Sequence, residues 1–223
     1  MFARLTPVVK NLLLINFALW LIPVVSGINL NYIFGLRYIF AEEFQPFQFI
    51  TYMFFHYTEI NGQVSFWHLL GHMFALFIFG PMLERFWGAK RFFIFYMVTG
   101  IGAGILYGVV TFVEMQQLES AAEAYIENPN YDAFSLFITE HANYAYRQLY
   151  DFISAYGDNP DNQQYVNRSI EHVNDIVRGT GNVPMIGASG AIFGILFAFG
   201  FLFPNTELFL LFPPIPIKAK YLV

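Results

Sequence analysis

Four runs without Asp, Glu, Lys or Arg constrain this chain most: Asn11 to Leu36, Val64 to Leu83, Phe92 to Val113 and Gly179 to Thr206. About 20 apolar residues, each adding about 1.5 Å to a helix, cross the hydrocarbon core of a bilayer. Each run is long enough to be a spanning helix. Composition points the same way: of 223 residues 57% are hydrophobic and 12% charged, and 28 are Phe, a balance a soluble domain of this size would struggle to cover with polar surface. Arg4 and Lys10 before the first run resemble a signal peptide, but that run is too long and lacks an A-x-A cleavage pattern, so it reads as a retained span.

The formal net charge of −5 hides an uneven distribution. Between Glu114 and Asp175 lie 11 acidic residues against only Arg147 and Arg168, so that segment belongs in water. Basic residues flank the spans at Arg4 and Lys10, at Arg85, Lys90 and Arg91, and at Lys218 and Lys220, which makes those loops and the N-terminus cytoplasmic. Loops 37 to 63 and 114 to 183 then face outward. The expected organisation is three transmembrane helices with outer loop 1 over 1–114, an acidic extramembrane helical insertion over 115–183, and a serine-bearing fourth helix, Pro-rich loop and start of a fifth helix over 184–223. The chain has no cysteine, which excludes disulfides, thiolate chemistry and Cys-based metal sites. No cofactor is implied, and without a basic patch nothing points to nucleic acid.

Outer loop 1 contains "FQPFQFITYMFFHY" (44–57), aromatic yet too interrupted to span, and is expected partly in the membrane interface. The insertion reads as two or three soluble helices, the last capped by Asn159 with Pro160 in its first turn. Gly100, Gly104 and Gly108 recur every four residues in the third run, and Gly187, Gly190 or Ala191, and Gly194 in the fourth. Such spacing strips a helix face and lets a neighbour approach closely, predicting a tight bundle. After "FPPIPIKAK", the residues "YLV" read as the start of another span that stops at Val223.

Polar residues inside these runs are the functional candidates, because ionisable groups at membrane depth are costly. His68 and His72 lie four apart, on one helix face. They fit a packing role, a metal or haem site, or a partnership with Ser189. The metal reading lacks the H-E-x-x-H pattern and any further His or Asp in another span. Ser189 in "GASG" is either a helix-packing residue or a nucleophile, and Ala191 breaks the G-x-S-x-G elbow.

Taken together and in order, "TYMFFH" ending at His56, "HLLGH" (68–72), "GPMLERFWGAKRF" (80–92), the glycine-spaced third run and "GASGAIFG" (187–194) resemble the rhomboid intramembrane serine proteases. The resemblance covers about 10–114 and 184–223. It implies a multi-pass, all-α transmembrane bundle of six helices, whose short fourth helix starts at the nucleophilic serine below a water-filled cavity open to the outer side. By position, Ser189 matches the nucleophile and His68 the oxyanion-stabilising histidine. His72 stands where the family usually carries Asn and retains an N–H for the oxyanion. Gly187 and Gly190 frame the serine. His56 corresponds to the loop-1 histidine, and Glu84 with Arg85 to a charged pair that ties loop and helix ends, all three structural. The family's general-base histidine lies in the sixth helix; nothing after Ser189 here is His, so that base is expected beyond Val223 and the covered chain alone would be inactive. His141 and His172 read as solvated residues of the insertion, which is expected to cap the cavity mouth and influence substrate entry.

The implied activity is endopeptidase cleavage of transmembrane protein substrates near the outer face of a membrane, bacterial by the resemblance. The competing readings are a catalytically inactive rhomboid-like protein that binds transmembrane clients, and a bis-histidine haem or metal protein.

Overall fold

The computed structural model describes residues 5–60, 63–209 and 216–221 and is mostly helical. In chain order come α1 (Pro7–Ser26), α2 (Asn31–Phe34), α3 (Gln48–Thr51), the strand pair β1 (Glu59–Ile60) and β2 (Gln63–Val64), α4 (Trp67–Trp87), α5 (Ala89–Glu127), α6 (Tyr131–His141), α7 (Asn143–Asp158), α8 (Gln163–Gly181), α9 (Ser189–Leu202), and the pair β3 (Glu207–Phe209) and β4 (Pro216–Lys218). Two compact units result, one of residues 1–36, 45–107 and 184–223, the other of 37–44 and 108–183.

In the first unit Pro7 opens α1, where its missing N–H costs nothing, and Gly27 closes it in the left-handed conformation at φ +71°, donating to the Pro23 carbonyl. Thr6 makes no capping bond. Its place is taken by Glu84, near the end of α4, whose buried carboxylate accepts the N–H groups of Val8 at 3.0 Å and Val9 at 2.9 Å. A carboxylate on the first-turn amides satisfies orphan donors and complements the helix dipole. One turn earlier, a Cβ on Gly80 would stand 2.7 Å from Val9 Cγ2, so the two helices meet closely there.

The helices α1, α4 and α5 are long and apolar enough to cross a membrane. The fourth run departs from expectation. Its first residues end α8, and α9 spans only 14 residues, about 21 Å, short of a roughly 30 Å hydrocarbon core. Pro184 and the positive φ of Gly187 keep 182–188 out of a helix, so the helix begins at the serine itself, as the family resemblance implies. The glycine faces also divide their work. On α9, Gly190 faces Ala103 of α5, and a Cβ on Gly194 would lie 2.7 Å from Thr99 Cβ. On α5, Gly100 and Gly104 seat Met53 and Tyr52 of outer loop 1, with the Tyr52 hydroxyl donating to the Gly100 carbonyl at 2.7 Å. The aromatic loop therefore turns Tyr52, Met53, Phe55 and His56 inward instead of lying only along the interface.

The second unit has its own core, with Phe134, Ile138, Ala142, Tyr156 and Val173 fully buried. Residues 115–127 continue α5, which runs 39 residues without a break. The stretch 131–157 divides at Ala142, whose ψ of 38° interrupts helical geometry, into α6 and α7. The last helix is capped by Asn162, not Asn159: the Asn162 side chain accepts the Gln164 N–H at 2.9 Å, while Asn159 ends α7. His141 is exposed as expected, but His172 is half-buried, edge-on to Phe152 at 4.7 Å, and burial followed by the nearby Arg168 lowers its pKa. Arg37, fully buried, donates to the Asn182 carbonyl and pairs with Glu43 at 3.0 Å.

Part of the Pro-rich stretch, Pro216 to Lys218, pairs as a strand with Glu207 to Phe209, and Ala219 to Tyr221 form a short helical turn. Arg4, residues 212–215 and Leu222 with Val223 lie outside the described residues, and with them most of the expected fifth-helix start.

Removing the Glu84 carboxylate leaves two first-turn amides of α1 unsatisfied. Glu84→Ala is expected to destabilise the protein by about 2 kcal/mol, the scale of hydrogen bonds to a charged group, measured as unfolding in mixed micelles; an unchanged midpoint would remove this role.

Candidate active site

Position and backbone geometry bring Ser189 to α4. Leu36 and Met185 exchange two backbone hydrogen bonds, at 2.9 and 2.7 Å, and the Gly187 N–H donates to the Tyr52 carbonyl at 2.9 Å. These fix the strand-like segment before α9 against outer loop 1. Gly187 sits at φ +124°, where side chains are strained, and a Cβ there would come within 3.0 Å of the His68 ring and 3.2 Å of His72 Cε1. Only glycine lets the chain pass so close to both imidazoles. Two residues later Ser189 begins α9, half-buried, with its backbone N–H among the unpaired amides of a helix N-terminus.

The Ser189 hydroxyl lies 3.0 Å from His72 Nε2. The opposite nitrogen, His72 Nδ1, lies 3.0 Å from His56 Nε2. Asn31 Nδ2 donates to the His56 carbonyl at 3.4 Å, and the His56 side chain is almost wholly buried. His68, half-buried, stands beside the pair, its ring centroid 4.7 Å from that of His72 and 5.1 Å from that of His56. The Tyr57 N–H donates to His68 Nδ1 at 3.3 Å. A neutral imidazole whose Nδ1 accepts carries its proton on Nε2. His68 Nε2–H is therefore a donor, on the side facing Gly187.

Of the residues singled out in the sequence, Ser189, His72, His68, His56, Gly187 and Gly190 fall in this part of the first unit. Glu84 and Arg85 do not. Glu84 caps α1, and Arg85 is exposed in the last turn of α4. The contact missed by sequence reasoning is His56 with His72, which joins a loop to a helix across 16 residues with no periodic signature.

Chemically, the cluster offers a hydroxyl, an imidazole able to exchange its proton, and two N–H donors, the Ser189 amide and His68 Nε2–H on the side facing Gly187. That is the inventory of acyl transfer: nucleophile, proton acceptor and oxyanion donors. Burial first, then the His72 and His68 rings, hold the His56 pKa down from 6.5 to about 3. His56 is thus neutral at physiological pH.

A depressed histidine pKa means the unfolded chain binds the extra proton first. Its stabilising contribution is full above about pH 6.5 and is lost as pH falls toward 3. Stability is therefore expected to decline through that window, by at most about 1.4 kcal/mol per pH unit from this one group. His56→Gln, which cannot titrate, should show a shallower decline in unfolding measurements; equal slopes would contradict the assignment.

The rhomboid domain family model matches residues 43–118, from outer loop 1 through α4 into α5. No curated protein and no solved structure matches the chain. The matched segment carries His56, His68 and His72, and the match supports membership of the rhomboid family.

Proposed function

We propose that the protein is an intramembrane serine endopeptidase, cleaving transmembrane protein substrates near the outer membrane face with Ser189 as nucleophile. The observation that carries this reading is the Ser189 hydroxyl at 3.0 Å from an imidazole nitrogen, at the start of a helix, in a chain with three spanning-length apolar helices. A packing serine needs no imidazole partner; a nucleophilic one does. The rhomboid match points to the intramembrane protease family at the coarse level.

In this reading Ser189 attacks the scissile carbonyl and the oxyanion forms where the Ser189 amide and His68 Nε2–H converge. His72, in the family's Asn position, contributes at the same place. The resemblance places the family's own base on a sixth helix. Gly187 and Gly190 serve by leaving room, and His56, Glu84 and Arg85 support the frame. The protein is multi-pass in the membrane, its N-terminus cytoplasmic by the distribution of Lys and Arg, in a bacterial inner or plasma membrane. Its partners are the bilayer and transmembrane substrates.

A fluorophosphonate probe tests the nucleophile. It is expected to label the wild-type chain in detergent micelles on the peptide holding Ser189, and Ser189→Ala should abolish labelling. Undiminished labelling of the Ala variant would remove Ser189, and an inert wild type would favour the inactive, client-binding relative.

A further inference from the structure

The second unit holds a pocket that the reading of Ser189 does not use. We propose that this cavity of about 260 Å³, walled by residues 38–42, α5 and α8, binds the headgroup of a phosphoethanolamine lipid, with the phosphate on Arg178 and the ammonium between Glu42 and Glu119. The inference does not depend on the role of Ser189.

The place of the pocket on α5 points to a ligand at the membrane surface. Val109, Val110, Phe112 and Val113 are exposed and apolar, and Glu114 is the first charged residue after that run. From α5 the pocket takes Met115 and Glu119. At about 1.5 Å per residue these stand about 3 and 9 Å beyond Val113 along the helix. The headgroup layer on each side of a hydrocarbon core is about 5–8 Å thick, so an apolar run that fills the core sets the pocket at headgroup depth. Phe40, which is 68% exposed, forms part of the wall and lays its ring beside Phe112, centroids 6.1 Å apart. The polar cavity thus opens onto an apolar surface fit for acyl chains.

The charges around the cavity point to a zwitterion. Glu42, Glu119 and Arg178 line it, and among the described residues Arg178 forms no ion pair with either carboxylate. Opposite charges that share a pocket without pairing suit a ligand that bears both signs. Arg178 sits in the last turn of α8, where a cation complements the helix dipole, and its planar guanidinium matches a phosphate. Asn174, one turn earlier on the same helix face, adds amide donors. A phosphate with an uncharged glycerol headgroup would leave the two carboxylates without a counterpart. A quaternary choline has no N–H to give them, whereas a primary ammonium has three. The walls are set before a ligand arrives: Arg37 donates to the Asn182 carbonyl, the Tyr38 N–H to the Gly181 carbonyl at 3.4 Å, and the Ala41 N–H to the Tyr38 carbonyl at 2.9 Å. A pocket held in this way loses little to ordering on binding.

Native mass spectrometry of the full chain in detergent, with equimolar dioleoyl phosphatidylethanolamine, phosphatidylcholine and phosphatidylglycerol added, tests this. Phosphatidylethanolamine is expected to be retained about tenfold more than either of the others, the scale of one charge-assisted hydrogen bond. Arg178→Gln and Glu119→Gln should each bring its retention down to that of phosphatidylcholine, while phosphatidylcholine retention stays at the wild-type level and so reports an intact fold. Arg178→Lys, which keeps the charge, should recover part of the preference. Two soluble competitors separate the sources of the phosphate: glycerophosphoethanolamine should displace the lipid at large excess, and inorganic phosphate should not. Displacement by inorganic phosphate at the concentration of the lipid would make this a phosphate site and overturn the lipid assignment. Equal retention of the three lipids, a preference for phosphatidylglycerol, or a phosphatidylethanolamine preference that survives Arg178→Gln or Glu119→Gln would overturn the proposal, as would an equal loss of all three lipids in both variants.

Discussion

The close passage of the chain at Gly187 over the rings of His68 and His72 is the contact on which the rest depends. A backbone at φ +124° with no β-carbon sets the Ser189 hydroxyl at hydrogen-bond distance from an imidazole on a different helix. Any side chain at Gly187 would both strain the backbone and press on the two rings. The small residues around it extend the same condition. Gly190 and Gly194 bring α9 onto Ala103 and Thr99, and Gly100 and Gly104 admit the Met53 and Tyr52 side chains that carry His56 inward. In a setting where lipid is as apolar as the protein, close packing of this kind, more than burial from water, holds helices in register.

A second condition operates at the opposite end of α4. Glu84 meets the first-turn amides of α1 across 75 residues of sequence, satisfying groups that have no partner inside their own helix. One helix thus carries two polar devices, a histidine pair in its first turns and a capping carboxylate near its last, with Leu69, Met73, Leu76, Phe79 and Leu83 buried between them. Fixing α4 against α1 steadies the ring face that Ser189 meets.

How much of this could be read from the sequence follows from the range of each interaction. The three long apolar helices were legible because hydrocarbon thickness sets a minimum run of uncharged residues, and Asn11 to Leu36, Val64 to Leu83 and Phe92 to Val113 each met it. The fourth run also met it, yet its helix is only 14 residues long, because Pro184 and Gly187 keep 182–188 out of a helix and Met185 pairs with Leu36. Hydropathy does not see that pairing. The start of α9 at the serine came from motif resemblance alone. Within the second unit, the cap at Asn162 was missed because Asn159–Pro160 offers an equally good local start signal, and tertiary packing chose between them. The His56–His72 contact was illegible for a similar reason, since it joins elements with no common period. The one available hint was an imidazole at 72 where the family carries an amide.

The central claim is that this arrangement cuts peptide bonds within or beside a membrane, and reconstituted proteoliposomes containing a reporter with one transmembrane segment test it most directly. The account predicts two fragments from the wild-type chain, with the cut near the outer end of the reporter's span, and an intact reporter with Ser189→Ala. Equal cleavage by both proteins, or an intact reporter with a wild-type chain that still reacts with fluorophosphonate, would contradict intramembrane proteolysis by Ser189.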